Sequence, residues 1–362
     1  MSDGPRRPVV AVVGVGLIGG SIGLAARRAG SEVRGWDPAD GALAAALERD
    51  AVSAACGSLA DAVAGADVAF VAAPVGALPA VVGEVLTAAG EDCVVSDVGS
   101  TKRSVVAAVD DPRFVGGHPL AGAETAGVEH ARADLFDGAT WYLTPTARTG
   151  GILYERLHRL LVDLGARPAA LDAETHDAML ATVSHLPHVL ANVLVARAAR
   201  VLSDEGERLP ATGPSFRDAT RVAGANTAIW RDIYLANADA LVEAIDDTVA
   251  RLGEVRAALA ARDGEVVATW NDGAREERRR LLEADLAGGE VHELRVAVPN
   301  RPGVVAEVAL ALGRAGVNIL DMALYPAPDH STGTIALWIA GERHAVQAQE
   351  LVEGLGLTVA RP

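Results

Sequence analysis

The chain predicts a doubly wound α/β sheet, then an all-helical segment, then a small α+β module of β-α-β-β-α-β order. Three observations predict this. Short β-branched runs alternate with helical patterns over residues 1–172. From 173 to 286 the period lengthens into alanine- and leucine-rich helices. From 287 to 362, after Gly288-Gly289, strand alternation returns.

The first strand is Val9 to Val13, a continuous apolar run of the kind buried on both sheet faces. It enters Gly14-Val15-Gly16-Leu17-Ile18-Gly19, a G-x-G-x-x-G that opens a helix reaching Arg28. The first glycine allows the tight turn, the second a close approach to a pyrophosphate, and the third close packing of helix on strand. Gly14, Gly16, Leu17, Ile18 and Gly19 are therefore the expected cofactor contacts, at a helix N-terminus suited to phosphates. A second strand, Glu32 to Trp36, ends in Asp37. A carboxylate there accepts hydrogen bonds from a ribose diol and repels a ribose phosphate, so NAD is expected rather than NADP. This is a Rossmann-type arrangement.

The alternation continues through Asp67–Ala73, stopped by Pro74, and Cys93–Ser100, followed by Thr101-Lys102 entering a helix. Loops after the strands of such a sheet gather on one edge, so Pro74, Ser100 and His118 are expected near the nicotinamide. Ser100 reads as a site hydroxyl, a helix N-cap, or both. His118 lies in Gly116-Gly117-His118-Pro119-Leu120-Ala121-Gly122-Ala123-Glu124. The two glycines are expected to turn the chain off Phe114-Val115 and hold His118 on a tight loop, with Glu124 six positions on. Histidine suits proton transfer near neutral pH; the plain alternative is a surface turn. Trp141–Thr144 and Arg167–Asp172 read as closing strands around a helix at 153–164.

In the middle segment, Thr175 to Leu202 reads as one helix kinked at Pro187. His185 and His188 are three apart and share a face; they read as polar contacts to substrate, packed histidines or metal ligands. The pattern matches no zinc motif, and no metal is expected. Arg217 and Arg221, four apart, suit a substrate carboxylate or a solvated, paired face. Asn226 to Ala261 continues as helix with Trp230 and Tyr234 read as core. In the last segment, strands at Val291–Val298 and Gly333–Ile339 flank the turn Asn300-Arg301-Pro302-Gly303, a helix to Ala315, and Gly316-Val317-Asn318-Ile319. No catalytic constellation appears there.

The net charge of −16 argues against nucleic acid and anionic membrane as partners. Two cysteines allow no disulfide framework, which points to the cytoplasm. Arg6-Arg7 before the first strand resembles a signal peptide, but the glycine loop breaks the apolar run, and no uninterrupted apolar run is long enough to span a bilayer. Lys102 is the only lysine.

GVGLIGGS (14–21), SDVGSTK (96–102), GGHPLAGAE (116–124), SHLPH (184–188) and FRDATR (216–221) together resemble the prephenate/arogenate dehydrogenase family, in its order and over the first two segments. VPNRPGVVAEV (298–308) and GVNI (316–319) resemble an ACT domain, a module that in many proteins binds an amino-acid effector. The resemblance implies NAD-binding (1–172), helical substrate and dimerisation (173–286) and ACT (287–362) domains. It implies NAD-dependent oxidative decarboxylation of prephenate, with arogenate as the alternative substrate. His118 would act as the base, and Ser100 would hydrogen-bond His118 or the substrate hydroxyl. Arg221 would anchor a carboxylate, and Arg217 stands where the family can carry lysine. Glu124 would lie near the entrance or the histidine network. It further implies a homodimer. The Asn300–Gly303 turn presents backbone N–H groups at a helix start, a seat for a carboxylate within reach of Asn318, so an aromatic amino-acid effector is expected at Asn300, Gly303 and Asn318, tyrosine first and phenylalanine or tryptophan next; the plain alternative is a purely structural module that adds dimer contacts. Two other readings are a different Rossmann/helical dehydrogenase and a non-catalytic amino-acid sensor; the second would be favoured by loss of His118 or the glycine loop, and both are intact.

Overall fold

The computed structural model describes residues 7–122, 125–203, 212–284, 290–328 and 331–362. They fall into two compact units, Met1–His176 with Gly289–Pro362, and Asp177–Gly288.

The first unit begins with β1 (Val9–Val13), α1 (Leu17–Arg28), β2 (Glu32–Trp36), α2 (Ala42–Glu48), β3 (Ala54–Ala55), α3 (Leu59–Val63), β4 (Val68–Val71), α4 (Leu78–Ala88), β5 (Val94–Asp97) and α5 (Arg103–Ala108). The five strands form one parallel sheet, ordered β3-β2-β1-β4-β5. Val10 and Val12 of β1 pack into one apolar cluster and Val9, Ala11 and Val13 into another, so both faces are covered. This is why the strand reads as a continuous apolar run.

The chain then leaves that sheet. β6 (Gly116–Pro119), β7 (Thr140–Thr144), α6 (Gly151–Asp163) and β8 (Arg167–Ala170) follow. The three strands make a separate sheet, β6 antiparallel to β7 and β7 parallel to β8. Phe114 keeps only an isolated bridge to Val95. The expectation of a turn at Gly116-Gly117 with His118 on a loop is corrected here: His118 is in β6, opposite Tyr142. The glycines serve close approach. A Cβ on Gly117 would lie 2.6 Å from both the Asp97 carbonyl oxygen and Ser96 Oγ, and one on Gly116 would lie 2.3 Å from Thr144 Oγ1. Next comes α7 (Ala173–Leu180), within which the two units divide.

The second unit holds a π-helical turn (Ala181–His185), α8 (Leu186–Ser203), α9 (Pro214–Thr220), α10 (Thr227–Ala236), α11 (Ala238–Ala261) and α12 (Gly264–Ala284). The expected single helix over 175–202 is thus interrupted by a π turn just before Pro187. Proline has no N–H and its ring crowds the carbonyl four residues back, and a wider turn relieves both. The helix expected over 226–261 breaks at Asn237 for another reason. The fully buried Asn237 side chain donates to the Asp177 carbonyl at 2.7 Å and contacts His185 Nδ1 at 3.2 Å. Residues 173–200 are long and apolar enough to cross a membrane by length and composition. They also carry buried His176, Asp177, His185 and His188, polar groups that lipid would not satisfy.

The C-terminal stretch, β9 (Val291–Pro299), α13 (Val304–Arg314), β10 (Ile319–Pro326), β11 (Thr332–Ala340), α14 (Glu342–Gly354) and β12 (Thr358–Ala360), forms an antiparallel sheet ordered β10-β11-β9-β12. It belongs to the first unit because α13 lies tight on β8. A Cβ on Gly313 would sit 1.7 Å from the Ala170 carbonyl oxygen. Arg314 Nε pairs with Asp172 Oδ2 at 3.0 Å. On α6, which packs against β10, burial pushes the His158 pKa down to about 4, so that ring is neutral at physiological pH.

Candidate active site

The glycine loop adopts the geometry its spacing predicts. Gly14 has φ +94°, and a Cβ there would lie 2.3 Å from the Ala72 carbonyl oxygen. A Cβ on Gly19 would lie 1.9 Å from the Gly14 carbonyl oxygen, so only glycine lets α1 pack this close. Gly16, the residue before α1, faces open space and no side chain caps the helix, leaving its first N–H groups for a ligand. Asp37 closes the cradle: Oδ2 accepts from Val15 N–H at 2.8 Å and Oδ1 from Ala39 N–H at 2.8 Å. Each oxygen keeps a lone pair for a diol. These residues fit a dinucleotide. Leu17 and Ile18 form the first helical positions, and Pro74 is exposed after β4.

His118 is 8% exposed, and its Nδ1 lies 2.9 Å from Nε2 of the fully buried His176. Beneath it lies an ion pair that sequence reading missed. Lys102 and Asp97 are both completely buried, and Lys102 Nζ bonds the Asp97 carboxylate. The same Nζ donates to the Gly117 carbonyl at 2.7 Å, while Asp97 Oδ1 accepts from Gly117 N–H at 3.2 Å and Oδ2 from Gly99 N–H at 2.8 Å. The residue before His118 is therefore gripped at both its N–H and its C=O. The one signal available was a sole lysine placed five residues after an aspartate at a strand end. Ser100 is half-buried after β5; it does not cap α5, whose N-cap is Lys102 without a side-chain bond.

In the second unit His185 and His188 are both buried. His188 stacks on Trp230 with centroids 3.6 Å apart and planes 4° apart, and its Nδ1 bonds the Tyr234 hydroxyl. Burial holds the His188 pKa below its ordinary value. Trp230 and Tyr234, read from sequence as core, thus surround a candidate site histidine; their i, i+4 spacing was visible, their partner was not. Arg217 is exposed on α9, and Arg221 is exposed at its C-cap. Glu124 lies outside the described residues. Among those described, no three His, Cys, Asp or Glu side chains gather as a metal-ligand set.

In the C-terminal module the Asn300–Gly303 turn packs against the chain itself. Gly303 has φ +81°, its N–H reaches the Thr149 carbonyl at 3.3 Å, and a Cβ there would lie 2.2 Å from the Ala147 carbonyl oxygen. Asn300 is exposed and Asn318 half-buried.

The chain matches the family models for the prephenate dehydrogenase nucleotide-binding domain over 22–169, the prephenate dehydrogenase dimerization domain over 172–271, and the ACT domain over 292–351. It is 30% identical over 358 residues to a prephenate dehydrogenase of Bacillus subtilis, with 96% of each chain covered. The chain belongs to the prephenate dehydrogenase family. A cyclohexadienyl dehydrogenase of Zymomonas mobilis is 34% identical over 71% of this chain and 90% of that one. A crystal structure of prephenate dehydrogenase from A. aeolicus, in complex with hydroxyphenyl propionate and NAD+, is similar at a TM-score of 0.71 and 28% identity, covering 77% of this chain and all of that one. Membership makes the chain an oxidoreductase, and the family's nucleotide-binding domain contains the strand that carries His118.

Proposed function

We propose that the chain catalyses NAD-dependent oxidative decarboxylation of prephenate to 4-hydroxyphenylpyruvate, on the route to tyrosine. The observation that carries this reading is His118, buried on a strand whose preceding residue is clamped by Asp97 and Lys102. NAD, held by the glycine loop and Asp37, supplies the hydride acceptor. His118 takes the proton of the substrate's ring hydroxyl. Ser100 hydrogen-bonds that hydroxyl or the histidine. Arg221, with Arg217, anchors a carboxylate, for which a planar guanidinium is well matched. His185 and His188, the latter stacked on Trp230, make polar contacts to substrate. Prephenate is favoured over arogenate by the near full-length relative from Bacillus subtilis. Offering purified protein prephenate and arogenate side by side with NAD, NADH forms faster with prephenate. Equal or faster NADH formation with arogenate would overturn the substrate assignment, and no NADH with either would overturn the reaction.

The working form is a homodimer in the cytoplasm. On α11, Val242, Val249, Leu252 and Leu259 are 56–61% exposed at spacings of seven, three and seven. That stripe is an apolar seam in want of a second helix. Both described cysteines are free thiols, and burial pushes Cys93 up to about 11.

The C-terminal module takes an aromatic amino acid, tyrosine first, at Asn300, Gly303 and Asn318. A ligand carboxylate there competes with the Thr149 carbonyl for the Gly303 N–H, which links occupancy to the contact with the catalytic domain. Gly303→Ala forces a side chain into a left-handed backbone and against Ala147, costing about 1–3 kcal/mol. It is expected to weaken tyrosine inhibition in a titration of the full chain. Inhibition of unchanged midpoint would put tyrosine at the active site as a competing product.

A further inference from the structure

We propose that His176 is a positioning residue that sets the working tautomer of His118. The inference rests on His118 being the proton acceptor. It concerns which ring nitrogen does the accepting.

His118 Nδ1 and His176 Nε2 are 2.9 Å apart, with ring centroids 5.1 Å apart and planes at 68°. A hydrogen bond between two neutral imidazoles contains one proton, so one nitrogen donates and the other accepts. If His176 donates, the proton of His118 sits on Nε2 and the ring has no free lone pair for a substrate proton. If His118 Nδ1–H donates, Nε2 carries the lone pair and His176 holds its own proton on Nδ1. Only the second arrangement makes His118 a base. In the transfer the substrate O–H bond breaks and Nε2–H forms. Nδ1–H stays in place throughout, and the new imidazolium keeps a hydrogen bond that its charge strengthens.

The surroundings hold His176 for this task. It is fully buried, and Tyr142 meets its ring edge-on at 5.8 Å and 83°. Tyr142 is also the cross-strand neighbour of His118, so both rings are referenced to one strand pair. His176 sits in the first turn of α7, where its N–H bonds the Asp172 carbonyl at 2.9 Å. The Asp172 carboxylate caps that turn through Thr175 N–H at 2.8 Å and Thr175 Oγ1 at 2.9 Å, and is itself held by Arg314. A ring fixed at its backbone and on its edge has little freedom to turn away from His118.

The test uses the full chain labelled with ¹⁵N-histidine, the His118 ring signals being assigned by their absence in His118→Asn. The expected wild-type spectrum shows His118 protonated on Nδ1 and bare on Nε2. In His176→Leu, His118 populates both tautomers, and kcat with prephenate falls about 10- to 100-fold, the usual weight of a residue that orients a functional histidine, with KM within about two-fold. His176→Gln, which keeps an amide oxygen at similar reach, recovers most of kcat. A wild-type His118 protonated on Nε2 overturns the proposal, even if His176→Leu does not fold. A loss of kcat in His176→Leu with the tautomer unchanged also overturns it, because His176 would then be only structural. Unimpaired turnover in His118→Asn would instead defeat the parent reading, and the wild-type spectrum would still decide the tautomer.

Discussion

Replacing His118 by asparagine lowers turnover of prephenate by about 10²- to 10⁴-fold, the weight of a positioned general base. Asparagine is close in size and polar, so β6 keeps its pairing with β7 and the side chain still has a donor and an acceptor to offer His176. What it lacks is a group that can take up a proton near neutral pH. The glycine loop and Asp37 are separate from β6, so NAD affinity stays within about two-fold of wild type, as measured by fluorescence titration. Turnover unchanged, with an unchanged acid limb in the pH–rate profile, would mean that proton removal does not pass through this ring.

Lys102→Met is expected to remove about 3–5 kcal/mol of stability, the cost of leaving one member of a buried ion pair without the other. That is a large fraction of a typical folding free energy of about 5–15 kcal/mol. Both side chains are completely buried, so water cannot solvate the stranded Asp97 carboxylate. The double variant Lys102→Met/Asp97→Leu recovers only part of the loss. It removes the charge but strands the Gly99 and Gly117 N–H groups that Asp97 accepts, at about 1–3 kcal/mol each. Urea denaturation of the three proteins measures this. A loss under about 1 kcal/mol in Lys102→Met would show that the pair is not sealed from solvent. Because Nζ also holds the Gly117 carbonyl, the single variant loosens His118 and lowers kcat as well.

Features that depend on a few consecutive residues could be read from sequence. The glycine loop is one: Gly14 makes the tight turn and Gly19 the close helix packing that their spacing implies, and Gly16 faces open space, because a strand–turn–helix junction is a local object. Asp37 is another, since it follows directly from the end of β2. His118 could be picked out by residue type and its glycine-rich approach, but its setting was misread. Glycine is used both where a chain turns and where backbones meet closely, and the order of residues does not separate the two uses. Gly116 and Gly117 are of the second kind, and what they make room for, Thr144 and the Asp97–Ser96 strand end, lies 20 or more residues away.

By itself the sequence pointed to the order of folds, the dinucleotide cradle and the histidine proposed as the base. These follow from hydrophobic period, backbone freedom and side-chain chemistry, all properties of short stretches. Only the tertiary structure decided what surrounds the base. It placed Lys102 under Gly117, His176 against His118 Nδ1, Trp230 on His188, and Gly303 on the Thr149 carbonyl. Each of these contacts joins residues from 15 to more than 150 positions apart. Their geometry is set by how sheets and helices pack, and a linear pattern of residue types does not encode a distance between two elements that meet only in the folded chain.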